Sequence, residues 1–332
     1  MLEFSLFSPK TVQGKEFRNR IIMPPMASEK ATESGEVTEK HLDYYRERGK
    51  EGLGGIIVEH AFVSETGRFS KHQLSAADDK MVEGLSSLAQ CINNTSAVSI
   101  LQINHAGALA YNKKNVTPIA PSQIAPPNNN EVTPREISIE EIEEIKAQFV
   151  AAAKRAVKAG FNGIELHGAH GYLLNQFNSP LTNLRQDEYG GSRNNRARLS
   201  LEIASEVKKS IGDKLLLYRL GAVDSYAKGL TVPDAIWLSK ELMRAGVDIV
   251  DVSGGHGGYR GNKEVQGYFV PVASEIKHHL PAPVIVSGGI TTPKYAEQVV
   301  SQEGIDFVGI GRALLSRPDW PSMARKELFS SN

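Results

Sequence analysis

Two histidines and a tyrosine fall within one short stretch, His167-Gly168-Ala169-His170-Gly171-Tyr172, directly behind the apolar run Gly163–His167. Imidazoles and a phenol at this spacing look like chemistry rather than packing, and a phenol with an ordinary pKa of about 10 is protonated at pH 7. Polar groups at the end of a buried strand cost stability unless each is satisfied, which makes a ligand the natural partner. Metal binding is the competing chemistry for paired histidines. No carboxylate or third histidine has companion spacing, so no metal is expected. The bland alternatives are a core histidine satisfied by its neighbours and an aromatic packed at a helix start.

Eight short runs rich in Ile, Val and Leu predict the buried parallel strands that must carry these residues. They are 20–26, 55–62, 98–104, 163–167, 215–221, 248–253, 284–288 and 307–311. Amphipathic segments lie between them, with start signals at Ser138-x-x-Glu141, at Thr231 before Pro233, and at Thr292 before Pro293. Eight strands each followed by a helix predict an α/β fold, a single (β/α)8 TIM barrel formed by residues 1–332 as one unit. A turn at Gln13-Gly14 predicts an N-terminal hairpin that caps the barrel. The long segment Ala106–Glu136 after the third strand, rich in Pro and Asn, is expected to cover the active-site face.

Active sites of such barrels lie at the C-terminal strand ends, and the polar residues fall there. The third strand ends in Gln102 and Asn104-His105, the fourth in His167 and His170, and the fifth in Arg219. The sixth ends in the glycine loop Ser253–Gly258, which contains His256, either a second acid or an incidental loop residue. Ser287-Gly288-Gly289 and Gly309-Ile310-Gly311-Arg312 end the last two strands and predict a phosphate pocket, because glycines let backbone N–H groups approach an anion. Neither a P-loop nor G-x-G-x-x-G is present, which disfavours a nucleotide held by those devices.

Composition narrows the classes further. Of 332 residues, 40% are hydrophobic and 23% charged, enough to bury a full core. Thirty-eight basic residues balance 38 acidic ones, so no field favours nucleic acid or a membrane surface. The single cysteine, Cys91, excludes an intrachain disulfide and a multi-cysteine cluster, and its setting predicts a small buried hydrophobe in a helix. The start MLEFSLFSPK lacks a basic segment followed by a long apolar one, and a cytoplasmic location is expected.

The block HGAHGYLLNQFNSPLTNLRQDEYGGS with Asn195-Arg196 closely resembles the signature of the Old Yellow Enzyme family of FMN-dependent ene-reductases. Further matches occur at Arg18–Ile21, Pro25-Met26, Gln102 with His105-Ala106-Gly107, Arg219, and Gly311-Arg312 with Pro318 and Trp320, so the resemblance spans nearly the whole chain. It implies FMN as cofactor and NADH or NADPH as reductant. It implies that Pro25, Met26, Ala27 and His60 line the flavin, that Gln102 and Arg219 meet its pyrimidine edge, and that Gly288, Gly289, Gly311 and Arg312 hold its phosphate. His167 and His170 would receive the substrate oxygen, and Tyr172 would be the proton donor.

Three departures bear on substrate. Ala27 stands where many members carry Cys or Thr beside flavin O4, and Glu29 where one subgroup has a substrate-contacting tyrosine. The cysteine cluster and added domains of larger members have no counterpart, so electrons are expected from a soluble donor. Reduction of an activated C=C bond by ping-pong transfer is the leading expectation. Flavin-dependent oxidation of an amine or other C–H substrate stays open, as does a flavin- or phospholigand-binding protein with little turnover. A flavin-free phosphosugar lyase is disfavoured, because no lysine ends a strand where a Schiff base would need one. The partner is a small molecule, and a homo-oligomer stays open.

Overall fold

The computed structural model describes residues 5–111, 117–127, 132–258 and 265–330. Eight parallel strands pair in chain order and close into a barrel. They are β1 (Ile21–Met23), β2 (Gly55–Phe62), β3 (Val98–Asn104), β4 (Gly163–Gly168), β5 (Leu215–Gly221), β6 (Ile249–Ser253), β7 (Val284–Ser287) and β8 (Phe307–Gly309). The (β/α)8 expectation holds.

Three strands end earlier than their apolar runs, each for a backbone reason. Pro24 and Pro25 have no N–H for the ladder and stop β1. Gly288, at φ +131°, turns the chain out of β7. Beyond β8, Gly311 leaves extended geometry to open the short helix Arg312–Ser316.

Side chains alternate along each strand, which divides the core in two. One file fills the barrel: Ile22, Ile57, Val98, Ile100, Leu215, Leu217, Ile249, Ile285 and Phe307. The other packs the strands against eight outer helices. These are α1 (Glu39–Gly49), α2 (Val82–Asn93), α3 (Ile139–Lys158), α4 (Arg193–Ile211), α5 (Val232–Arg244), α6 (Val270–His278), α7 (Pro293–Ser301) and α8 (Trp320–Ser330).

The start signals act as expected at two of the three helices. Ser138 and Glu141 cap α3 reciprocally, and Thr231 does the same with Asp234 at α5. Thr292 makes no side-chain cap bond, so Pro293 alone marks the start of α7. The predicted hairpin pairs Lys10–Val12 with Lys15–Phe17 through positive-φ Gln13 and Gly14. Its Val12 and Phe17 belong to the interior file, and the Phe17 ring lies 4.7 Å from that of Phe307, so the hairpin plugs the lower end of the barrel.

The described residues of segment 106–136 are tied to the loops that follow β4 and β5. Ile119–Ala120 pairs with Arg135–Glu136, Arg185 Nη1 donates to Pro121 O, and Tyr226 Oη donates to Pro127 O. None of these described residues lines the central cavity. Positions 112–116 and 128–131 lie outside the described residues. Cys91 is half-buried rather than fully buried, its Sγ 3.4 Å from Leu42 O. No helix among the described residues is long and apolar enough to cross a membrane.

Candidate active site

The interior file changes character on its way up the barrel. Below it is hydrocarbon; one step above Ile100, Leu217 and Ile249 it becomes Gln102, Arg219 and Asp251, with Glu165 beside Gln102 in register. Gln102 Nε2 donates to Glu165 Oε1 at 2.8 Å, and Arg219 Nη1 lies 3.3 Å from Asp251 Oδ2. All four residues are buried. The ion-pair partner of Arg219 is therefore Asp251, not Asp224. Asp224 is occupied elsewhere, accepting from Ser179 Oγ, Leu230 N and His256 N.

Above this layer, β2 and β4 supply a cluster of rings. His167 stands edge-on to His170 and to Tyr172, with centroids 5.1 and 4.7 Å apart, while His60 lies 5.4 Å and Phe69 5.3 Å from Tyr172. His170 adopts φ +59°, a left-handed turn that brings its ring back over the strand end. Its Nε2 is 2.7 Å from Ser253 Oγ, which also takes a long contact of 3.5 Å from Arg219 Nη2. Ser253 Oγ has one proton and two lone pairs; where it gives that proton to His170 Nε2, Nδ1–H is the free donor. His167 Nδ1 accepts from Ala169 N, which leaves Nε2–H free in the same way.

Burial sets the protonation of this cluster. Desolvation pulls His60 down to about 4 and His170 down to about 3, with Arg219 adding to the effect on both. Burial, then the neighbouring His170, holds His167 well below its ordinary value. The same burial, with the charge of Glu29, raises the Tyr172 phenol. At neutral pH the site thus holds neutral imidazoles and a protonated phenol, a set of donors without a charge of their own.

The opposite side is backbone. A cavity of about 260 Å³ is lined by Pro24, Met26, Arg219 and by Gly288, Gly289, Gly311 and Arg312 from the ends of β7 and β8. His170 and Ser253 line it from the ring side. Gly288 and Gly289 both have positive φ, and a Cβ on either would strike the Tyr268 ring. The two ends carry buried polar atoms without a hydrogen-bond partner among the described residues: Arg219 Nε and Nη1 at one, Ser287 Oγ at the other. Charged donors at one end and glycine backbone with a hydroxyl at the other fit a ligand that is electron-poor at one end and phosphorylated at the other.

Most expected residues therefore meet. Met26, His170, Arg219, Gly288, Gly289, Gly311 and Arg312 share the cavity; His60, His167 and Tyr172 form the adjoining ring cluster; Gln102 lies beneath. In the first loop Pro24, not Pro25, lines the cavity; Pro25 is half-buried and Ala27 exposed. His256 is fully buried, with Nε2 3.1 Å from Thr182 Oγ1, so it ties the glycine loop down instead of facing the mouth. Glu165, Asp251, Phe69, Tyr268 and Phe269 were not anticipated. The acids carried a legible signal, because Glu165 sits two residues before His167 and Asp251 two before Ser253, on the inward file. Among the described residues no group of three His, Cys, Asp or Glu is arranged to hold a metal ion.

The sequence profile of the NADH:flavin oxidoreductase / NADH oxidase family matches residues 5–330. The chain is 40% identical over 333 residues to an NADH oxidase of Thermoanaerobacter brockii, covering 97% of this chain but only 51% of that longer protein. It is also 40% identical over 328 residues to an NADPH dehydrogenase of Geobacillus sp., covering 98% of this chain and 95% of the relative. Among solved structures, an old yellow enzyme homologue from Zymomonas mobilis superposes with a TM-score of 0.84 at 25% identity, covering 99% of this chain and 93% of the other.

Proposed function

Because the chain belongs to the NADH:flavin oxidoreductase / NADH oxidase family, whose Old Yellow Enzyme-type oxidoreductases depend on FMN, we propose that it uses NADH or NADPH to reduce activated C=C bonds, as in α,β-unsaturated carbonyl compounds, with residues 1–332 acting as one FMN-binding unit. When bound, FMN supplies two-electron hydride transfer by a ping-pong sequence in which nicotinamide and acceptor use the same face in turn.

The cavity suits that cofactor. Arg219 and Gln102 would meet the pyrimidine edge, where the guanidinium stabilises the negative charge that reduction brings in a site closed to water. Met26 and its neighbours Pro25 and Ala27 would border the ring system, with His60 behind. Gly288, Gly289, Gly311, Arg312 and the unpartnered Ser287 hydroxyl would take the phosphate.

The observation that carries the reading is the convergence of His167, His170 and Tyr172 beside Arg219. The free N–H of each histidine would hold the substrate oxygen as charge develops on it, and neutral imidazoles can do so without forming a buried ion pair. The Tyr172 phenol, kept protonated by burial, would give its proton to the α-carbon. Ala27 offers no side-chain hydrogen bond to the flavin, and the exposed Glu29 carboxylate accepts from Ser70 Oγ at 2.5 Å.

Anaerobic titration of the purified protein with NADPH and NADH, followed by enones, nitro compounds and quinones, tests the proposal. A yellow protein bleached by nicotinamide and recoloured by an enone is the expected result. Bleaching by an amine or another C–H substrate without nicotinamide would overturn it.

A further inference from the structure

Glu165 and Asp251 have no role in the scheme above, yet both are wholly buried, Asp251 beside Arg219 in register and Glu165 one inward step lower, level with Leu217. They stand on β4 and β6, the two strands that flank β5, and Glu165 Oε2 and both Asp251 oxygens are buried without a hydrogen-bond partner among the described residues. Every strand packed against them can be named. β3 brings neutral Gln102 to Glu165, β5 brings Arg219 to Asp251, and β7 sets Ile285 opposite Asp251. On the mouth side His60, His167 and His170 are held neutral by burial, and Glu59 of β2 is engaged by His41 and Ser28 N. One cation therefore faces two carboxyls.

If both were ionised, Glu165 Oε2 and both Asp251 oxygens would be buried acceptors with no hydrogen bond among the described residues. A proton on Glu165 supplies the missing donor and removes the repulsion. Two neighbouring carboxyls in a desolvated site do not both ionise. Burial, with the Asp251 charge, raises Glu165 well above the ordinary carboxyl range. Burial raises Asp251 as well, and Arg219 pulls it back to about 6.

We infer that Glu165 and Asp251 share one proton and act as a charge-setting pair for Arg219, holding one negative charge against the guanidinium and taking up a second proton from solvent when negative charge reaches the flavin edge that Arg219 binds. This rests on the placement of Arg219 proposed above. The step balances simply: an O–H bond forms on the Asp251 carboxylate, the proton comes from water, and no electron moves through the pair. Before reduction Arg219 and Asp251 cancel. Afterwards the added negative charge would be uncompensated in a dry site, and proton uptake restores neutrality.

The test is the midpoint potential of the FMN-loaded protein across pH, with infrared redox-difference spectra, for wild type, Asp251→Asn and Glu165→Gln. Above about pH 6 the wild type should gain an extra slope of about 30 mV per pH unit, the tenfold change in proton activity converted for a two-electron couple. It should also gain a protonated-carboxyl C=O band on reduction, and Asp251→Asn should lose both. Glu165→Gln keeps the bond with Gln102 and should lose the D2O-sensitive carboxyl band of the oxidised protein, a readout that stands if Asp251→Asn does not fold. Equal slopes in wild type and Asp251→Asn, or a carboxyl band unchanged by Glu165→Gln, overturns the inference. An absent enone reaction with the extra slope intact would instead count against the proposed function alone.

Discussion

The two sides of the mouth are built on opposite principles. Around β2 and β4 the wall is made of side chains: His60, Phe69, His167, His170 and Tyr172 pack ring against ring. Around β7 and β8 it is made of backbone, with Gly288 and Gly289 standing where a Cβ would collide and Gly311 where one would be tight against Met26. A wall of neutral donors can hold and protonate a reacting group. A wall of N–H groups can hold a phosphate but offers no proton to move. On the proposed reading the difference separates turnover from cofactor retention, and substitutions on each side should separate the same two quantities.

Arg219 bridges the sides and should give the largest effect. Arg219→Ala leaves Asp251 without its cation and should cost roughly 3–5 kcal/mol of stability, together with loss of FMN on gel filtration; a thermal melt and flavin content read both. On the ring side, His167→Ala would remove a proposed donor to the substrate oxygen and should lower enone turnover roughly 10²–10³-fold while FMN stays bound. Equal loss of FMN and turnover would erase the proposed division.

Gly288→Ala on the glycine side should do the reverse. Its φ of +131° and the nearby Tyr268 ring disfavour any side chain. Strain on the order of 1–3 kcal/mol should appear as weaker FMN affinity, with turnover per bound flavin little changed. Isothermal titration of the apoprotein with FMN measures it.

A pH slope reads the ring side without any substitution. His60, His105, His167 and His170 are all held below their unfolded value, first by burial. Their contribution is complete above the unfolded pKa of about 6.5 and is lost as pH falls from there towards the depressed folded values, by up to about 1.4 kcal/mol per pH unit for each group. Asp251 acts in the opposite sense, since its raised value lets the fold lose stability as pH rises towards about 6. Four groups against the carboxyl pair predict a Tm that drops between pH 7 and pH 4.5. A flat or rising Tm would contradict the buried neutral cluster.

The sequence made the barrel legible because a parallel strand covered on both faces must be a short apolar run, and eight such runs admit few alternatives. β2, β3 and β5 match their runs to the residue, whereas β1, β7 and β8 end earlier at Pro24, Gly288 and the turn into Gly311. Hydrophobicity cannot register those backbone limits. The ring cluster was legible because His167, His170 and Tyr172 are close in sequence. Phe69 reaches Tyr172 only through a loop of β2, so no local pattern reports it. Glu165 and Asp251 were hidden inside apolar strands, where the alternation that points them inward was the available signal.

Stopped-flow measurement of the two half-reactions in wild type and Tyr172→Phe tests the central claim most directly. The account predicts that NADPH bleaches both proteins at similar rates, whereas reoxidation by an enone falls roughly 10²–10⁴-fold in the variant. Equal reoxidation rates in the two proteins would contradict the assignment of Tyr172 and, with it, the reading of the ring wall as the reacting side.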